Sequence, residues 1–136
     1  MKTSRLPLAL AAVAIAAVTL SGCSIIEELA LHEKELAYET WDDAPTKGDL
    51  AFVPAEFIPH DASDLRIRTE TDGTGKLYAF ETETTLDPEL CAPSVIEGKP
   101  TLDASWWPDE VPVDGWMCTP EWRVFEVEGV TYSFRP

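Results

Sequence analysis

The chain has 136 residues, with 10 Lys and Arg against 25 Asp and Glu, a formal net charge of −15. That balance excludes DNA and RNA as partners, because phosphate binding needs a basic footprint. The length holds one small domain plus a tether, since single domains commonly run roughly 100–150 residues.

All 25 acids lie after position 22. Met1–Gly22 carries instead Lys2 and Arg5, then an apolar run from Leu6 to Leu20. A positive start, an apolar middle and small residues at the end describe an export signal. At 15 residues the apolar run falls short of the roughly 20 needed to cross hydrocarbon. Leu20-Ser21-Gly22-Cys23 resembles a bacterial lipobox, where a lipid is attached to the thiol and the chain is cut before it. The residue types suit that chemistry. Small Ser21 and Gly22 leave the backbone accessible, and only a thiol becomes the thioether. The resemblance implies a bacterial lipoprotein with Cys23 as its acylated N-terminus, on the outer face of the cell membrane. No twin-arginine pair is present, so ordinary unfolded export is expected. Setting the signal aside removes Lys2 and Arg5 and deepens the net charge from −15 to −17.

With Cys23 used for lipid, Cys91 and Cys118 remain. A residual pair in an exported protein most simply oxidises to a disulfide. Closing such a loop stabilises a fold by roughly 3.5 kcal/mol in the chain-entropy model. The competing use, as metal ligands or a redox couple, finds neither CxxC spacing nor a nearby histidine.

Ser24–Trp41 reads as helical. Ile25, Ile26, Leu29, Leu36 and Ala37 recur along one side with acids opposite, although Glu33 and Thr40 interrupt the stripe and Leu31 and Tyr38 fall outside it. A helix packed on the domain, a stalk near the bilayer and a disordered spacer all fit this pattern. Five glutamates against one lysine argue against contact with an anionic membrane surface. Asp42–Asp49 has turn-forming composition and reads as a linker. Residues 23–49 are thus an acidic tether, and residues 50–136 the globular domain.

From Leu50 the pattern changes to short β-like runs punctuated by Pro and Gly. Leu65–Glu70 and Lys76–Glu83 alternate, and Thr71-Asp72-Gly73-Thr74-Gly75 between them is a turn whose glycines permit positive φ. Trp122–Val127 and Val130–Phe134 flank Glu128-Gly129 as a second hairpin. In its second strand Val130, Tyr132 and Phe134 share one face, Thr131 and Ser133 the other, which is a half-buried pattern. Thr85–Pro120 holds six of the 11 prolines, both cysteines of the pair and three of the five tryptophans. It reads as an irregular stapled loop region, because proline density opposes central strands and long helices. The expected class is mainly β, α+β at most: a small disulfide-stapled antiparallel sheet with an N-terminal helical or disordered tether.

The order of Phe57–Leu65, a Gly-containing hairpin, Cys91, a Trp-rich stretch, Cys118 and a closing Gly129–Phe134 is similar to small actinobacterial lipoproteins of uncharacterised function. The resemblance spans about Phe52–Pro136. It implies an exported domain with Cys91 paired to Cys118, and it carries no catalytic residue across.

Reactive motifs are sparse. The chain contains no Asn or Gln, which excludes sites needing an amide side chain. Of two histidines, His32 lies in the tether and His60 in a turn-like segment beside Asp61 and Asp64. As a base or ligand His60 is a weaker reading than as an exposed turn residue, with Asp61 or Asp64 bonding local amides. No G-x-S-x-G, phosphate-binding glycine loop or calcium-loop pattern occurs. No cofactor and no metal are expected. With 25 carboxylates, no catalytic pair can be chosen.

Trp106, Trp107 and Trp116 are the remaining signal, lying among Asp103, Asp109, Glu110 and Asp114. Adjacent Trp106 and Trp107 cannot both face inward on a regular strand. Exposed, they would stack on sugar rings or anchor an interface; buried, they would fill a small core beside the disulfide. The expected function is a membrane-tethered, non-enzymatic binding domain. Its partner is an envelope protein first and a wall glycan second. The alternatives are a carboxylate-dependent hydrolase acting on cell-wall or extracellular substrate, and an accessory subunit of an exported complex. Cys23→Ala should leave the chain uncleaved and free of diacylglycerol; an intact mass that still includes lipid would refute the anchor.

Overall fold

The computed structural model describes residues 32–44 and 54–136. The signal, the lipobox with Cys23, the tether up to residue 31 and part of the linker lie outside the described residues. The rest forms one antiparallel sheet of seven strands: β1 (Glu33–Thr40), β2 (Ser63–Glu70), β3 (Lys76–Glu81), β4 (Cys91–Val95), β5 (Asp114–Cys118), β6 (Trp122–Val127) and β7 (Val130–Arg135). In space they run β1-β2-β3-β7-β6-β5-β4. Two meanders, β1-β2-β3 and β4-β5-β6-β7, are thus fused along β3 and β7.

Both predicted hairpins form, each for a local reason. Glu128 and Gly129 have φ of 52° and 82°, the paired left-handed residues of a tight two-residue turn that matches strand twist. The first hairpin uses its glycines differently from expectation. Neither Gly73 nor Gly75 has positive φ; instead, a Cβ at either would strike the Glu70 side chain, whose carboxylate accepts a bond from the Gly75 amide at 3.0 Å.

The fused strands explain the core. On one face Tyr78 and Phe80 of β3 lie opposite Ser133 and Thr131 of β7, large against small. On the other face Leu77 lies opposite Phe134, and Ala79 opposite Tyr132. Both faces are therefore apolar at the centre of the sheet, and both are covered. The first core gathers Phe57, Ile58, Leu65, Ile67, Tyr78, Phe80, Trp122 and Val124 under the segment between β1 and β2. The second gathers Leu77, Leu102, Ala104, Phe125 and Phe134 under the segment between β4 and β5. This corrects the half-buried reading of β7. Thr131 and Ser133 are buried, because they are the small partners beneath the β3 aromatics.

Two further expectations are corrected. Glu33–Thr40 is an edge strand, not part of a tether helix. Its sidedness has period two: Leu36 and Tyr38 pack on the first core, while Glu33 and Glu35 both bind Arg68 of β2. Cross-strand contacts hold the segment where its own propensity does not. Within the proline-rich Thr85–Pro120 region, β4 and β5 are regular strands. Proline is accommodated because Pro93 sits on β4 at the sheet edge, where a ladder donor is dispensable. β5, one strand further in, contains no proline.

Cys91 and Cys118 are directly opposed on β4 and β5, with Cα atoms 4.0 Å apart, and they form the disulfide. The bond lies in the first core and staples the end of the β4–β5 pair remote from the segment that covers the second. Both thiols should resist labelling until a reductant is added. Cys91→Ser with Cys118→Ser should lower unfolding free energy by roughly 3 kcal/mol in denaturant titration. Labelling of both cysteines without reductant would refute the pairing.

Candidate functional site

The histidine and its neighbouring acids are structural. His60 is exposed and stacks on Trp41, ring centroids 4.6 Å apart at 22°. Asp61 accepts bonds from the Thr82 hydroxyl at 2.6 Å and the Glu83 amide at 3.2 Å, pinning the segment after β3 rather than its own turn. The Thr82 hydroxyl, with the backbone amide in support, holds the Asp61 carboxyl below its ordinary value against a smaller opposing effect of burial. Asp64 has φ of 48° and sits where the β2–β3 register shifts, so it occupies a bulge. Among the described residues, no group of three or more His, Cys, Asp and Glu is placed to hold a metal ion.

The three candidate tryptophans do not form one patch. Trp116 on β5 packs against the first core, beside a hollow lined by Thr82, Leu86 and Glu126. Trp106 and Trp107 belong to the opposite face. They lie in a turn closed by the Trp107 amide bonding the Ala104 carbonyl at 3.0 Å, so strand alternation does not apply to them. Trp107 presents its edge to Phe125, Tyr132 and Phe134 at centroid separations of 5.5, 5.6 and 6.1 Å. Such pairs contribute about 0.5–1.5 kcal/mol each beyond buried area, which makes Trp107 an anchor of the second core.

Trp106, half-buried like Trp107, also reaches across to the edge strand, where its indole N–H donates to Glu35 Oε1 at 3.1 Å. The other Glu35 oxygen accepts from Arg68 at 2.9 Å, and Arg68 also binds Glu33. Burial works against the charged form of Arg68, and the bonds and charges of Glu33 and Glu35 outweigh it, raising its pKa. Trp106, Glu35, Arg68 and Glu33 thus form one connected network that ties the stapled loop to β1.

Beside this network lie two depressions on the same sheet face. The wider, of about 690 Å³, is bounded by Glu35, Ala37, Arg68 and Asp103. The smaller, of about 230 Å³, is bounded by Asp64, Arg66, Ala79, Glu81, Trp106 and Tyr132. Chemically the smaller one combines two aromatic rings, the Val130 side chain, a guanidinium and two carboxylates around a methyl floor. Sequence reasoning found Trp106 and missed Arg66, Ala79 and Tyr132. They meet because Arg66 pairs with Ala79 and Ala79 with Tyr132 in adjacent strands. That register has no signature in any one segment.

The depressed Asp61 pKa has a definite sign. Its stabilising contribution is present above the ordinary carboxylate pKa and is lost as pH falls through the lower folded value. Carboxyl-carbon NMR should place the Asp61 midpoint below 3.8, and Thr82→Val should move it upward. A wild-type midpoint at or above 3.8 would contradict the assignment. No family model, curated protein or solved structure matches this chain.

Proposed function

We propose that this chain is an exported lipoprotein, anchored through Cys23 at the outer face of the cell membrane, whose sheet domain binds a wall glycan without catalysing a reaction. The signal, the lipobox and the resemblance to actinobacterial lipoproteins support the location. The observation that carries the binding reading is Trp106, held half-exposed on a sheet face by a bond to Glu35. An aromatic ring fixed at the rim of a polar depression is a platform for the apolar face of a sugar.

The hydrolase reading finds less support. A glycosidase needs one carboxyl with a raised pKa and a second at a defined distance. Glu35, which borders the wider depression, is committed to Arg68 and Trp106. Asp61 is displaced downward, opposite to what a proton donor requires.

An envelope protein is the second reading, and one observation favours it. Val95, Val111 and Val113 are 53%, 37% and 69% exposed around the β4–β5 segment, where the Ile96 amide bonds the Val113 carbonyl. Val111 and Val113 border one hollow that Val95 does not line, so the exposed apolar surface is small and falls short of the face an obligate subunit would bury.

Tryptophan fluorescence of the detergent-solubilised lipoprotein, titrated with soluble wall-glycan fragments, tests the reading. A saturable shift that disappears in Trp106→Ala and persists in Trp116→Ala is expected. A flat response would reject the glycan and move the search to proteins docking beside Val111 and Val113.

A further inference from the structure

We infer that the small depression between Trp106 and Tyr132 is a single-ring subsite for a neutral saccharide, with Arg66 donating hydrogen bonds and Asp64 and Glu81 accepting them. This rests on the binding reading and deepens it by naming the subsite and the class of sugar.

The floor comes first. Arg66, Ala79 and Tyr132 form one row across β2, β3 and β7, and the middle residue is the smallest. Ala79 is only 4% exposed, so what lies above its methyl group between the arginine and the tyrosine is a narrow hollow that a larger residue would fill. The volume, about 230 Å³, lies below the roughly 300–1,000 Å³ of sites for drug-sized ligands. One ring is the scale that fits.

The walls are fixed in advance. Tyr132 lies nearly parallel to Phe125, centroids 5.5 Å apart at 17°, and Trp107 meets it edge-on. Trp106 is held by Glu35 and by an edge contact with Trp107 at 6.2 Å. Rings already oriented by their neighbours lose little freedom when a ligand arrives, which preserves binding energy.

The polar groups select the ligand. Arg66 and Arg68 are two residues apart on the same face of β2, and their situations differ. Arg68 is clamped by Glu33 and Glu35, whereas Arg66 makes no ion pair or side-chain hydrogen bond among the described residues. The chain has 25 acids and 10 bases, so a guanidinium left uncommitted while lining a hollow with two carboxylates is notable. Guanidinium donors and carboxylate acceptors around one ring suit hydroxyl groups, which both donate and accept. The carboxylates outnumber the guanidinium, and the chain carries −15 overall. Anionic sugars and polyphosphate wall polymers are therefore repelled, and a neutral ring is not.

The test is calorimetric titration of the detergent-solubilised lipoprotein with chitotetraose, a neutral N-acetylglucosamine oligomer, and with an oligogalacturonate as the anionic counterpart. Saturable binding of chitotetraose is expected, with no binding of the oligogalacturonate. Affinity should fall at least about tenfold in Arg66→Ala, the scale of one charge-assisted hydrogen bond. Ala79→Leu, which fills the floor, should abolish binding. Arg66 is exposed, so its variant keeps the test decisive if Ala79→Leu fails to fold; far-UV circular dichroism separates the cases. Unchanged binding in Arg66→Ala would overturn the subsite while leaving the glycan reading intact. Oligogalacturonate binding as tightly as chitotetraose would overturn the neutral selectivity. Absence of chitotetraose binding by the folded wild-type protein would also overturn the subsite, and the wall-fragment titration would still judge the broader function separately.

Discussion

The pairing of β3 with β7 is the contact on which the other features depend, because it joins two meanders that are otherwise separate in the sheet order. Its size alternation sets up both cores at once. Tyr78 and Phe80 project over Ser133 and Thr131 on one side, while Leu77 meets Phe134 on the other. A sheet whose middle is apolar on both faces must be covered on both, and the long segments after β1 and β4 supply the covers. Their irregularity is thus a consequence of the centre: each has to drop particular side chains, Phe57 and Ile58 or Leu102 and Ala104, onto a fixed surface. The disulfide joins β4 to β5 from within the first core, at the end of the pair remote from the second cover.

Much of this was legible in the sequence where the signal is local. Glu128-Gly129 marks its turn because two successive positive φ values are hard for most residues, and the structure puts both there. The cysteine pair follows from elimination once Cys23 is assigned to lipid. The illegible parts are those decided at a distance. Thr131 and Ser133 look like a solvent face until Tyr78 and Phe80 are known to lie opposite. Glu33–Thr40 looks helical because its strand identity comes from pairing with β2, about 30 residues further along the chain. Pro93 argues against a strand until the position is known to be an edge.

The site divides in the same way. Trp106 is conspicuous by type, but its adjacency to Trp107 suggests opposite faces only on the assumption of a strand, and the turn puts both rings on the second core. Which one also reaches the edge strand is set by the turn at Ala104 and by Glu35 on a remote strand. Ala79 is the least conspicuous residue of all, since its contribution is the side chain it lacks. A depression in a sheet arises from a small residue flanked by large ones on neighbouring strands, so only register identifies it.

Charge links the fold to the site. An acidic edge strand would repel an acidic domain, and Arg68 offsets that by binding Glu33 and Glu35 together. One of those carboxylates also orients Trp106, so the bond that stabilises the edge also positions the aromatic wall. Arg66, on the same face of the same strand, is opposite Ala37 rather than a glutamate, and this register leaves its guanidinium available. A shift of β1 by two residues would keep the apolar face of the strand inward and yet put a carboxylate opposite Arg66. The availability of Arg66 is therefore a property of the β1 register, which the Arg68 clamp maintains.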